Sequence, residues 1–98
     1  MLAPMSLDEE AKRGAEARQL MENKVFQDAM QAVESSIINS MRRVPVGDDK
    51  MKDALILSLQ LLEQIQKKIK EYSDTGKMAE ISLQKDGPLR KLRRVAGL

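Results

Sequence analysis

Residues 51–72 read MKDALILSLQLLEQIQKKIKEY, and this stretch decides the fold. Met51, Leu55, Ser58, Leu62, Ile65, Ile69 and Tyr72 step by four and three without a break, which gathers them on one face of a helix. The same spacing recurs upstream in Phe26, Met30, Val33, Ile37, Met41 and Val44, with Ala29, Ala32 and Ser36 widening that face. Between the two runs, Arg42 and Arg43 suit the negative end of a helix dipole and Pro45 lacks the donor needed to continue. Gly47, Asp48 and Asp49 make a tight polar connection, and Asp48 is placed to cap the next helix by accepting from the amide of Met51. So short a loop folds the helices back antiparallel. The expectation is a pair of antiparallel helices over about residues 24–44 and 49–75, with Phe26, Met30, Val33, Ile37, Leu55, Leu62 and Ile65 buried. Gly76 is expected to end the second helix in a left-handed cap.

Working outward toward the N-terminus, Ser6 and Glu9 form a capping-box pair, and Asp8, Glu9 and Glu10 complement the positive end of a helix dipole. Leu7, Ala11, Gly14 or Ala15, Arg18, Met21 and Val25 follow at helical spacing. The stripe is poor in large side chains, so this segment reads as helical and weakly packed. Asn23 either caps a new helix or marks a kink. Toward the C-terminus, Asp86-Gly87-Pro88 is a turn signal, and residues 89–98 place Leu89 and Leu92 among Arg90, Lys91, Arg93 and Arg94. The fold class is therefore all-α: an antiparallel two-helix hairpin with an additional N-terminal helical segment and a short basic C-terminal tail. A single helical domain over 1–83, with its hairpin core at 24–76, is followed by the tail at 84–98.

Composition narrows the chemistry. The chain has 98 residues, one Phe, one Tyr, no Trp, no Cys and no His. Leu, Ile, Val, Met and Ala supply the apolar content, a mixture that packs helices on helices. Without Cys there is no disulfide framework or thiolate site, and without His the commonest general base and metal ligand is missing. No Glu-x-x-Glu or Glu-x-x-His, the pairings from which helical bundles build metal sites, occurs. Asp49 and Asp53 are the acidic pair of the second helix, a conceivable Mg²⁺ site, but they lie in its opening turns, where capping and dipole complementation account for them. No serine has a His or Lys partner and no glycine-rich phosphate loop is present. An enzyme is not expected, nor a cofactor or metal. The N-terminus is acidic and no apolar run approaches the roughly 18 residues of a membrane span. A cytoplasmic protein without a membrane partner is expected.

Binding features remain. Ser36, Ser40 and Ser58 lie on or near the apolar stripes, where close packing and a bond back to a carbonyl one turn earlier explain them without a specificity role. Of the seven Met, Met30, Met41 and Met51 fit core positions, leaving Met5 and Met78 as candidates for an adaptable surface. Ile56, Leu57, Leu59 and Leu61 flank the packing seam on faces that one partner helix cannot cover, which predicts an oligomer interface there. The net charge of +2 is small, but positive charge concentrates at Arg42-Arg43 and from Lys85 to Arg94. Either a solvated run or a contact element explains the second cluster. As a contact element, Leu89, Arg90, Lys91, Leu92, Arg93 and Arg94 would hold a partner, either an acidic protein groove or nucleic acid phosphates.

The segment Ala17 to Asn23, the pair Arg42-Arg43 before the Pro45 loop, and Thr75 to Ala79 together resemble a pattern of small helical-hairpin proteins encoded by tailed bacteriophages, often among head and packaging genes. The resemblance covers about residues 11–83 and carries no functional residue over. It implies a role in virion assembly or genome packaging, in the host cytoplasm or the virion, with Phe26 and Met41 in the core. Residues and resemblance together lead to a non-enzymatic assembly protein that oligomerises through its helices, binds another protein of the assembly and uses a basic tail. The alternative is a nucleic-acid or nucleotide binder of phage origin, for packaging or for sequestering a charged host ligand.

Overall fold

Helix α1, Leu7–Glu22, begins where Ser6 Oγ accepts from the Glu9 amide at 3.2 Å. The Ser6 hydroxyl in turn donates to Glu9 Oε1 at 3.2 Å, so the second half of the expected capping box closes through the side chain instead of the Ser6 amide. Asn23 resolves as a cap. Its backbone is extended, with φ −71° and ψ 122°, and its Oδ1 accepts from the Phe26 amide at 2.9 Å to start α2, Lys24–Arg42. Gln27 Nε2 donates to the Met21 carbonyl at the same junction, supplying a partner to one of the carbonyls left open at the end of α1.

The chain leaves α2 through bonds from the Arg43 and Val44 amides to the Ser40 and Met41 carbonyls. It turns at Gly47, whose φ of +96° is a conformation that a side chain would strain, and enters α3 at Asp48, whose Oδ1 accepts from the Met51 amide at 3.2 Å. Helix α3 then runs from Asp49 to Val95. The computed structural model describes residues 4–95, with side chains through Lys85. All three of its elements are helices.

Two expectations about α3 are corrected. Gly76 does not end it: the helix passes through, because this glycine is buried in a helix contact and takes helical dihedrals there. The backbone is also helical through Gly87 and Pro88, so the turn expected at Asp86-Gly87-Pro88 does not interrupt α3, which runs on to Val95. Proline removes one hydrogen-bond donor, but its own fixed φ is compatible with a helix.

Packing groups the residues into two units, each built on a different part of α3. One joins α1 as far as Gln19 to α3 from Lys70 onward. Among the described residues its buried ones are small: Gly14 and Ala17 on α1, Ser73, Gly76 and Ala79 on α3. The segment expected to be weakly packed thus makes a close contact, because small residues let backbones approach where large ones would hold them apart.

The other unit, Leu20–Ile69, is the hairpin. Phe26 and Met30, from the start of α2, share a cleft with Gln66 and Ile69, whereas Ser40 and Arg43 from its end share one with Met51 and Leu55. That pairing makes the helices antiparallel, as the short loop requires. Leu62 is the buried large side chain, at 8% exposure, while Phe26, Met30, Ile37 and Leu55 are half-buried. Val33 and Ile65, expected in the core, are exposed at 48% and 52%. They lie at one edge of their stripes, and a single partner helix covers only the centre of a stripe.

Candidate functional site

Helices α1 and α3 meet in a close backbone contact. A Cβ built on Gly14 would lie 2.5 Å from Gly76 Cα and 2.9 Å from the Tyr72 carbonyl oxygen, and one on Gly76 would lie 2.5 Å from Gly14 Cα. Charged groups surround this contact. Arg13 places its guanidinium carbon 4.0 Å from the centroid of the Tyr72 ring, within cation–π range. Arg18 donates to the Ser73 carbonyl at 3.3 Å and pairs with Glu80 at 2.9 Å. Arg18 and Glu80 are 26% and 44% exposed, so water screens the pair and it contributes little beyond orientation. These groups clamp the contact between the two helices.

None of these partners was legible as a site from single positions, since Arg18 read as part of an apolar stripe. The available signal was spacing: Gly14 and Ala17 three apart, and Ser73, Gly76 and Ala79 at steps of three, are small residues on one face of each helix.

In the hairpin unit, the cleft between the early part of α2 and Ile69 has a volume of about 290 Å³, with Met21, Phe26, Met30 and Ile69 inside and Gln27, Gln31, Glu34 and Gln66 at its rim. It is a shallow opening between two helices. Ser58 donates to the Ala54 carbonyl at 2.9 Å, the back-bond expected of it, but it is exposed and not part of a close contact, as are Ser36 and Ser40. Among the described residues no three His, Cys, Asp or Glu side chains gather as a metal site, and no helix is long and apolar enough to cross a membrane.

Of the residues expected at an oligomer interface, Ile56, Leu57 and Leu61 are exposed at 37%, 55% and 52%, and Leu59 is half-buried. They do not share one face. On α3, Leu57 and Leu61 are four apart and continue to Ile65, forming a ridge to one side of Leu62, whereas Ile56 lies on the other side of the helix with Leu59 between it and the hairpin seam. Met78 is exposed at 65% in the other unit, and Met5 is half-buried. The side chains of Leu89, Arg90, Lys91, Leu92, Arg93 and Arg94 lie outside the described residues.

No family model, curated protein or solved structure matches the chain.

Proposed function

We propose that this protein is a non-catalytic assembly component, one that self-associates through its helical hairpin and holds a second macromolecule with the basic end of α3. In keeping with its resemblance to phage head and packaging proteins, its setting is virion assembly or genome packaging in the host cytoplasm. One observation carries the reading. Leu57, Leu61 and Ile65 stand in water at more than half exposure although α3 already has a partner helix, and Leu62 is the only large apolar side chain buried among the described residues. A short chain with so thin a core gains most by burying further apolar surface against another molecule.

Sedimentation equilibrium of the full chain at micromolar concentration tests the proposal, with a mass above one chain expected. A monomer at every concentration would remove self-association from the function. Recovery of the bound partner at high salt is expected for a protein partner. A partner lost steeply with added salt would transfer the function to nucleic-acid binding.

A further inference from the structure

We infer that the hairpin unit pairs with a second copy of this chain through one specific face, forming a four-helix arrangement in which the large ridge of α3 from each copy lies on the small-residue side of α2 from the other. This rests on the self-association proposed above and adds the surface and its register.

The antiparallel pairing sets which residues share that face. Since the start of α2 meets Gln66 and Ile69, and its end meets Met51 and Leu55, Ala29 stands level with Gln66, Val33 with Leu62 and Ser36 with Leu59. Advancing about 100° per residue around each helix puts Ala29, Val33 and Ser36 on the same side of the hairpin as Leu57, Leu61 and Ile65. It is the side opposite the Gln27, Gln31 and Glu34 rim of the cleft. All six are exposed. The face therefore has relief of a definite kind, large side chains along α3 beside a low strip along α2.

Such a face is complementary to itself when the second copy is turned about an axis parallel to the helices. That rotation lays α2 of one copy over α3 of the other at the same level, so Ile65 meets Ala29, Leu61 meets Val33 and Leu57 meets Ser36 of the second copy. The operation is closed, so association stops at two. The same rotation brings Asp28 of the second copy beside Lys68 at one end of the face, while at the other end Arg43 of the second copy falls between Lys50 and Asp53, where their opposite charges offset each other. The alternative two-fold, which stacks α3 on α3, would set ridge against ridge and Lys68 against Lys50.

The chain contains no cysteine, so introduced ones report without interference. Ser36→Cys and Leu57→Cys are made as two separate full-length proteins. Mixed and mildly oxidised, they should give a disulfide-linked species containing one of each, and neither alone should link efficiently. In a second measurement, Val33→Glu and Leu61→Lys should each weaken dimerisation roughly a hundredfold or more, since a lone charge is stripped of water against an apolar strip. Mixing them should restore a dimer, because the new charges then face each other. Ile56→Lys, on the other side of α3, should leave association unchanged. If the wild type sediments above one chain but the mixed cysteines do not link, or if Ile56→Lys disrupts association and Leu61→Lys does not, this face is wrong while self-association stands. A monomeric wild type would end both.

Discussion

Gly14 and Gly76 show what a single atom decides. A methyl group on either would sit 2.5 Å from backbone of the facing helix, nearer than carbon atoms approach, and backbone cannot rotate aside as a side chain can. Alanine is the better helix former by about 1 kcal/mol, so Gly14→Ala would stabilise an isolated helix. In the folded chain it should instead destabilise by about 1–3 kcal/mol, the usual cost of overpacking. A lower melting temperature for both Gly14→Ala and Gly76→Ala is expected, and a rise in either would show that the contact is looser than described. Gly47→Ala meets nothing within 4 Å and should cost only the left-handed backbone strain, about 1 kcal/mol. Leu62→Ala should cost about 2 kcal/mol, toward the low end for a buried leucine, because its half-exposed surroundings can relax into the space. Leu62 was legible in the sequence because it sits at the centre of its stripe. Gly76 was misread there, since a glycine that ends a helix and a glycine that lets two helices touch look alike until the facing glycine is known.

At the scale of elements, the starts of helices were more legible than their ends. Ser6, Asn23 and Asp48 each bond an amide three residues on, an interaction contained within four consecutive residues and so readable locally. The Ala variant at Asn23 should lower stability by about 1 kcal/mol, measured by urea unfolding, and no change would deny the cap its role. The end of α3 was not legible because the helix continues through Gly76, Gly87 and Pro88 against their intrinsic preference. Deleting residues 84–98 should reduce the helical circular dichroism signal in proportion to the helical residues 84–95 removed. The melting temperature should barely change, because among the described side chains the buried ones on α3 end at Ala79. Loss of cooperative melting would mean that the last turns of α3 hold the fold. Partner binding should be lost with the deleted segment, which separates a contact element from a solvated charge run.

For the whole molecule, the sequence made the all-helical class and the hairpin legible, because both follow from periodicity and one loop. It did not reveal that packing would divide between two units with different chemistry, small residues at van der Waals contact in one and half-exposed large residues in the other. If the second kind of unit completes its core with another copy, stability depends on concentration. A hundredfold increase in protein should add roughly 2.7 kcal/mol per dimer and raise the melting temperature by several degrees. A melting temperature independent of concentration would count against association coupled to folding. The glycine contact has a different consequence, one for heredity. Most packed pairs can drift together, one residue growing as the other shrinks, and so leave a correlated trace among descendants. Gly14 and Gly76 have no such freedom, since neither can become smaller to make room for a change in the other. Selection at this contact should therefore leave two positions that stay fixed and never co-vary, while the ridge at Leu57, Leu61 and Ile65 retains room to exchange volume with the strip it meets.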